Sequence, residues 1–495
     1  MESFKKFWKE YTHLGDIISL LHWDSEVLLP DAAREERSEQ IAYLSSMAHK
    51  KFTGDECLKE IESLANFIEK KQPENKEFLK RELVILKRDR DRAVKLPVEF
   101  VEKFSKLTNL AHGIWASSKK NKSFKEFEST LTQIVDMSIQ MAEYYGYEKE
   151  PYDALLDSYE YGERAEDLNK LFISLKNSLI PIVNEAKYFE NVFKNGIDED
   201  LQKSFNNKLP ALLGLPENSS RLDVSLHPFS TGMGAKDKRI TTRYQKEDPI
   251  SSIFGVLHET GHALYEYGIA KMKDYPSPVC SAVSLGVHES QSRLWENQVG
   301  RSRAFWEYFY PILLKEFNIY KYDDLSFDDF FKSINSVSKS KIRVEADQVT
   351  YNLHIILRFE IERDLISKKI KVADLPEIWN SKIKESFDLN IENDSEGVLQ
   401  DIHWSGGSFG YFPTYTLGNI YSAQLFHKFS EENPDFWEDV RKRGNFTALF
   451  NWLDEKIYSK GRLYEPKELI QKATGESPSS EYLIKYLKHK LTELE

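Results

Sequence analysis

Cysteine is nearly absent from this sequence, which has only Cys57 and Cys280 among its 495 residues. Two cysteines cannot form a disulfide framework, and these two lack the clustered spacing of a thiolate metal site. The first residues also contain no apolar signal core followed by a small-residue cleavage site. We therefore expect a protein of the reducing cytoplasm.

Long apolar runs and basic stripes are missing as well. No uninterrupted apolar stretch reaches the roughly 18 residues of a membrane helix, so we expect no membrane partner. Lys and Arg number 68 against 80 Asp and Glu, which gives a net charge of -12, and the basic residues are scattered. A nucleic-acid partner is therefore not expected.

Internal repeats, low-complexity linkers and shifts of composition are also lacking. Their absence favours one continuous domain over residues 1–495. Within that domain we expect an N-terminal helical layer over approximately residues 1–95 rather than a detachable module.

Most of the chain carries the three-and-four spacing of apolar residues that is typical of helices, so we predict a mostly α fold. One helix is expected from Asp31 to His49. Ser123 and Glu126 form a capping box ahead of another, over 124–145, with Gly146 as its C-cap.

One segment departs from the helical pattern. Residues 221–229 and 238–244 are short and rich in β-branched or aromatic residues, and they flank a glycine-bearing loop over 231–237. This pattern predicts a hairpin or small sheet just before the next helix.

That next helix is well bounded by its sequence. Asp248 can cap it, proline occupies its first position, and Gly268 stands where a C-cap belongs, so we predict a helix over 249–267. Its buried face is expected to contain Ile253, Phe254, Leu257 and Leu264.

This helix contains the sequence His258-Glu-Thr-Gly-His262. Histidines four residues apart lie one turn apart, where one tetrahedral ion can bridge them. Glu259 projects beside them, in a position suited to a general base rather than to a third ligand. Two surface histidines beside a glutamate, with no metal, are the plain alternative.

A catalytic zinc site needs a third protein ligand and an open position. Glu289 and Glu296 lie on the next helical segment and could each supply it. His288 and Gln291 beside Glu289 offer polar partners, which favours Glu289 while leaving Glu296 open.

Several further motifs stand in a fixed order along the chain, and together they resemble the carboxypeptidase Taq family of metallocarboxypeptidases. They are His227-Pro-Phe229, Asp237-x-Arg239-x-Thr241, His288-Glu-Ser290, Ile342-Arg343-x-x-Ala346-Asp347 and Gly397-x-x-Gln400-Asp401-x-His403-Trp404. The segment Gly410-Tyr411-Phe-Pro-Thr-Tyr415 is also similar to the family, so the resemblance covers nearly the whole chain.

The resemblance implies a mostly helical fold with a deep central groove and a small sheet on one wall. It further implies a homodimer, peptide substrates with a free C-terminus, and release of C-terminal residues with broad specificity. It also implies that Glu289 is the third ligand.

The expected chemistry is hydrolysis by a zinc-bound water that Glu259 activates, with cobalt or manganese as other metals that the ligands accept. The developing oxyanion needs a donor besides the metal. His227, His403, Tyr411 and Tyr415 all lie in family motifs that could supply this donor.

Arg343 is the candidate for binding the terminal carboxylate of a peptide, because a guanidinium fork can hold both oxygens. Without the family motif, an ordinary ion pair with Glu345 or Asp347 is the plainer interpretation. Asp401 is expected to orient His403 or a metal-ligating histidine.

The strand predicted over 238–244 has two possible roles of its own. Arg239 is expected to pair with Asp237 or to shape the hairpin. If the strand is an exposed edge, it could also accept the backbone of a substrate as an added strand.

Two other functions remain open from the sequence. One is a zinc oligopeptidase or dipeptidase that uses the same helix. The other is a non-catalytic helical scaffold that holds a structural metal.

Overall fold

The computed structural model describes residues 1–319 and 325–494, and most of them are helical, as predicted. Ten α-helices precede the sheet: α1 Glu2–Val27, α2 Arg34–Thr53, α3 Asp55–Lys71, α4 Lys76–Lys95, α5 Val98–Asn121, α6 Lys125–Tyr145, α7 Pro151–Leu156, α8 Ala165–Glu185, α9 Glu199–Asn206 and α10 Leu209–Leu213.

The remaining helices follow the sheet. They are α11 Pro249–Ile269, α12 Leu285–Arg293, α13 Arg303–Glu316, α14 Phe327–Ile334, α15 Thr350–Ile366, α16 Leu375–Phe387, α17 Pro413–Glu432, α18 Phe436–Arg443, α19 Thr447–Lys456, α20 Pro466–Thr474 and α21 Glu481–Thr492. None of the described helices is long and apolar enough to cross a membrane.

A three-stranded sheet lies directly before α11, as the sequence predicts. Its strands are β1 Ser220–Val224, β2 Ser230–Gly232 and β3 Lys238–Thr242, in the order β1-β3-β2. β1 runs parallel to β3, and β2 runs antiparallel to it. The hairpin alternative is therefore wrong for these two segments, because the chain forms β2 before it returns as β3.

The order of the strands also shows whether β3 is an exposed edge of the sheet. β3 has a neighbour on both sides, so its backbone cannot accept an added strand, and the proposal of an exposed 238–244 edge is wrong. The sheet instead holds its own loop, since Thr241 accepts hydrogen bonds from the Ser225 hydroxyl and the Phe229 amide.

The N-terminal helices α1 to α4 have an apolar core of their own. Its buried members are Phe4, Phe7, Cys57, Ile61, Leu64, Ile68, Leu79 and Leu86. Trp23 of α1 packs against the sheet, where the guanidinium groups of Arg221 and Arg239 lie 4.9 Å and 4.2 Å from its ring centroid. This layer is thus held to the sheet by cation–π contacts.

The predicted helix ends are only partly correct. α6 ends at Tyr145, and Gly146 caps it with a φ of 78°, as predicted. The capping box is wrong, because no side chain caps the start of α6 and the Phe124 amide donates to Asp394 instead. A long-range carboxylate replaces the local cap here. α2 begins after a turn at Asp31–Ala33 and continues to Thr53.

Candidate metal centre and carboxylate receptor

α11 forms where the sequence predicts it and buries Ile253, Phe254, Leu257 and Leu264. Asp248 precedes the helix, although its side chain makes no capping hydrogen bond. The C-cap is Ala270, so the prediction for Gly268 is wrong. Gly268 serves packing instead, since a Cβ there would lie 2.5 Å from the Cβ of Tyr458.

His258 and His262 of α11 converge with Glu289 of α12, and we call these three residues the metal-ligand cluster. The Oε2 atom of Glu289 lies 3.6 Å from His258 Nε2 and 3.4 Å from His262 Nε2. Ligand atoms held about 2.0–2.1 Å from a tetrahedral ion lie roughly 3.3 Å apart, so this donor set fits one divalent ion. Among the residues that the structure describes, no other group of His, Cys, Asp and Glu has such a geometry.

Each histidine is held by a partner on its other nitrogen. His258 Nδ1 donates to Glu296 Oε2 at 2.8 Å, which leaves Nε2 free to bind a cation. Glu296 therefore supports a histidine and is not itself in the three-residue cluster.

His262 is supported through a longer chain of contacts. Its Nδ1 atom lies 2.5 Å from His288 Nδ1, and His288 Nε2 lies 3.2 Å from Glu266 Oε1. Burial and the neighbouring His288 lower the pKa of His262 to about 3, so its imidazole is neutral. His288 and Glu266 line a cavity of about 380 Å³ together with Asp16 and Lys238.

Arg293 joins the two acidic residues of this site. Its Nε donates to Glu289 Oε1 at 2.7 Å and its Nη1 to Glu296 Oε2 at 3.1 Å. Burial alone would raise the pKa of both carboxyls, but Arg293 holds the pKa of Glu289 well below its usual range and that of Glu296 at about 2. Both carboxylates are therefore ionised.

Close helix packing fixes these side chains. A Cβ on Gly261 would lie 2.5 Å from the carbonyl oxygen of Gln291, so glycine lets α11 approach α12. A Cβ on Gly418 of α17 would collide with the Glu289 side chain. After Arg293 the helix widens into a π-helical segment, Leu294–Val299, which carries Glu296.

Glu259 lies beside the two histidines and is 7% exposed. Burial raises the pKa of its carboxyl to about 7. No ion pair or hydrogen bond holds its carboxylate within the described ranges. A carboxyl with this pKa and without a fixed partner can both accept and return a proton near neutral pH.

Arg343 lies in a short 3-10 turn, Arg343–Glu345, and is 8% exposed. Its Nε donates to Asp401 Oδ1 at 2.8 Å and its Nη1 to the Tyr351 hydroxyl at 3.0 Å. The alternative ion pair with Glu345 or Asp347 does not form. Asp347 instead caps the start of α15, where it accepts from the amide and hydroxyl of Thr350.

Tyr351 lies between the metal-ligand cluster and Arg343. The guanidinium carbons of Arg293 and Arg343 are 4.6 Å and 5.8 Å from the centroid of its ring. Arg293 in turn binds Glu289. The ligand cluster and the buried arginine therefore belong to one continuous site.

Three predicted residues form one cluster with Tyr351 beside Arg343, whose guanidinium carbon lies 5.4 Å from the Tyr415 ring centroid. We call Tyr351, His403, Tyr411 and Tyr415 the aromatic cluster. His403 Nε2 lies 3.2 Å from the Tyr415 hydroxyl, and the rings of Tyr411 and Tyr415 are 5.4 Å apart. Burial lowers the pKa of His403 to about 4, so this imidazole is neutral.

His227 lies elsewhere, on the exposed connection between β1 and β2. Its backbone carbonyl accepts from the Ser225 hydroxyl. No hydrogen bond or ring contact joins its side chain to the ligand residues or to the aromatic cluster in the described ranges.

Sequence reasoning missed Arg293, Tyr351 and Arg358. Arg293 stands four residues after Glu289 and three before Glu296, a helical ion-pair spacing that could have indicated it. The prediction for Asp401 is wrong in its partner, because its carboxylate binds Arg343 and Arg358 and makes no hydrogen bond to a histidine within the described chain. The prediction that Arg239 pairs with Asp237 is confirmed.

Known proteins are similar to this chain in sequence and fold over nearly their whole length. A model of the carboxypeptidase Taq (M32) metallopeptidases matches residues 3–491. Thermostable carboxypeptidase 1 of Pyrococcus furiosus is 40% identical over 99% of this chain and 97% of its own. Carboxypeptidase 1 of Bacillus subtilis is 35% identical over 98% of this chain and 97% of its own. The solved Pyrococcus furiosus carboxypeptidase described as Apo-Mg is 39% identical with a TM-score of 0.93, covering 99% of both chains.

Proposed function

This chain belongs to the carboxypeptidase Taq family of metallopeptidases, and we propose that its metallocarboxypeptidase activity depends on a zinc ion and on Glu259 as general base. Membership of this family implies a divalent metal. His258, His262 and Glu289 would hold the ion, because their donor atoms all lie within 4.8 Å of one another. Two histidines and a glutamate form a ligand set that zinc peptidases use.

When bound, the ion supplies a Lewis acid that polarises a carbonyl and makes water a better nucleophile. Glu259 takes the proton from the attacking water and returns it to the leaving amine. Its pKa of about 7, raised by burial, suits both transfers.

Arg343 is the proposed receptor for the terminal carboxylate, and its geometry is the observation that carries the carboxypeptidase assignment. Two of its nitrogens are held by Asp401 and Tyr351. Its Nη2 group has no hydrogen-bond partner among the described residues, so this group can donate to a carboxylate.

The oxyanion donor is proposed to be Tyr411 or Tyr415, with neutral His403 holding Tyr415. Burial raises the pKa of both tyrosines, and the charge of Glu289 adds to this shift, so both hydroxyls keep their protons. No hydrogen bond or ring contact joins the His227 side chain to this cluster among the described residues. We therefore do not include His227 among the proposed donors.

Two experiments test the proposed function. The first incubates the zinc-loaded protein with a peptide and with its C-terminally amidated twin. We expect cleavage of the free acid alone, whereas equal cleavage of both would indicate an oligopeptidase.

The second experiment compares Glu259→Gln with the exposed control Glu247→Gln. Loss of the general base should lower kcat about 10²–10⁴-fold, and metal content by elemental analysis should stay unchanged. Activity that survives Glu259→Gln would remove the proposed base.

We also propose a homodimer and a cytoplasmic location. The dimer rests on the family resemblance. Cys57 and Cys280 are both free and buried, which agrees with a reducing compartment. Light scattering on the purified protein measures the oligomeric state directly.

A further inference from the structure

Behind Arg343 lies a group of buried polar side chains that the catalytic steps do not use. Asp401 binds Arg343 through Oδ1 and Arg358 through Oδ2, at 2.8 Å and 2.7 Å. Gln400 Oε1 accepts from the Arg343 backbone amide at 2.9 Å and from Arg358 Nη2 at 2.7 Å. We call Arg343, Arg358, Gln400 and Asp401 the arginine clamp.

The two ends of the clamp differ in exposure. Arg358 is fully buried at 0% exposure, while Arg343 keeps 8%. Arg358 also donates to the His354 carbonyl of its own helix, so three acceptors hold it. Arg358 is the fixed end, and Arg343 is the end that reaches the site.

The charges of the clamp do not balance. The guanidinium groups of Arg343 and Arg358 share the one carboxylate of Asp401. These two arginines hold the pKa of Asp401 well below its usual range, so the carboxylate is ionised. Burial keeps His354 and His403 neutral by lowering the pKa of each, so neither changes the count. Glu362 accepts from Tyr152, Trp404 and the Gly410 amide, and among the described residues it forms no ion pair with either arginine.

Among the described residues, the two guanidinium groups of the clamp therefore share a single ion-paired carboxylate, that of Asp401. A buried positive charge is costly unless an anion pairs with it. The carboxylate at the end of a peptide has the charge and the two oxygens to do so at Arg343.

We propose that Asp401 is a positioning residue that, backed by Arg358 and Gln400, orients Arg343 to receive the terminal carboxylate of the substrate. This inference rests on the proposed role of Arg343. An arginine side chain has many rotamers, and holding Nε and the backbone amide in advance removes most of them before the substrate arrives. Asp401 acts through Arg343 and does not touch the reacting atoms.

The test measures binding and turnover in the zinc-loaded protein. Binding is measured by calorimetry for a tripeptide and its amidated twin, in a Glu259→Gln background that slows turnover. For Asp401→Asn we expect the Kd of the free acid to rise on the order of 30-fold, because a buried charge partner is lost. The Kd of the amide, the zinc content and kcat in the active protein should change by less than about twofold, with the loss appearing in KM.

Two further variants keep the test decisive. Arg358→Lys keeps the charge but not the fork, and should raise the Kd of the free acid several-fold even if Asp401→Asn does not fold. Glu392→Gln is the matched control, because it removes an exposed ion pair with Lys341 from the same region and should change neither Kd.

Arg343→Met separates this inference from the proposed function. If Arg343→Met leaves the preference for the free acid intact, Arg343 is not the receptor and the proposed function fails. If Arg343→Met abolishes the preference but Asp401→Asn and Arg358→Lys weaken acid and amide equally, the clamp is only structural and this inference alone is overturned.

Discussion

The metal-ligand cluster and the arginine clamp have opposite charge and opposite construction. The first contains the ionised carboxylate of Glu289, while Arg343 and Arg358 outnumber Asp401 in the second. Helices α11 and α12 carry the first, with α17 packed against them, whereas the second joins a turn with Arg343, helix α15 with Arg358 and a loop with Gln400 and Asp401. The clamp thus offers a positive group to a peptide carboxylate, whereas the carboxylate of the cluster offers its charge to a divalent ion.

The largest expected effects come from variants that disable either the metal-ligand cluster or the arginine clamp but leave the other intact. Glu289→Ala should lower metal affinity by more than the roughly 10–100-fold that loss of a residue supporting a ligand costs, and should abolish activity. Arg343→Met should keep the metal and raise KM for free-acid peptides about 100-fold, since a charged partner is lost. Metal content by elemental analysis and steady-state kinetics measure both.

Loss of metal from Arg343→Met, or retention of metal with full activity by Glu289→Ala, would contradict this division. The two halves would then depend on each other rather than act separately.

A smaller effect tests the helical packing of the metal half. Gly418→Ala should lower the free energy of unfolding by about 1–3 kcal/mol, because the new methyl group overlaps the Glu289 side chain. Metal affinity should fall with it. Gly113→Ala is the matched control, since a Cβ there meets nothing within 4 Å, and it should stabilise α5 by roughly 0.5–1 kcal/mol. Denaturant unfolding measures both, and equal effects would show that Gly418 is an ordinary helical glycine.

The last expected effect depends on pH and concerns the start of α12. Glu160 accepts from the Gly286 amide, and burial followed by repulsion from Glu163 raises its pKa to about 8. A carboxyl whose pKa is raised by folding costs stability as pH rises above its unfolded pKa of about 4.5, until pH passes its folded pKa. The wild type should therefore lose at most about 1.4 kcal/mol per pH unit, relative to Glu160→Gln, between about pH 5 and 8. Parallel pH profiles of unfolding would contradict this.

The same contrast explains how much could be predicted from sequence. The spacing of His258 and His262 is a local pattern of one helix, and Glu289 and Glu296 stand close together on the next. The structure brings His258, His262 and Glu289 together. Helix geometry alone could not choose between the two glutamates. Their roles depend on how α12 packs against α11 and α17, which Gly261 and Gly418 permit across long distances in sequence.

The clamp was harder to predict because its contacts join separate segments. Asp401 follows a loop, and its partner Arg358 is 43 residues earlier. Nothing in the local sequence indicates that pairing, so the nearby His403 was the wrong choice. The central position of β3 was missed for a similar reason, since β2 has only three residues and its pairing is not visible in the pattern of β-branched residues.

Tyr351 has a consequence for how far the two halves of the site can be altered separately. Its ring lies 4.6 Å from the guanidinium carbon of Arg293, which binds Glu289, and 5.8 Å from that of Arg343. Its hydroxyl also accepts from Arg343 Nη1. A substitution at this one side chain is therefore expected to disturb the support of a metal ligand and the support of Arg343 together.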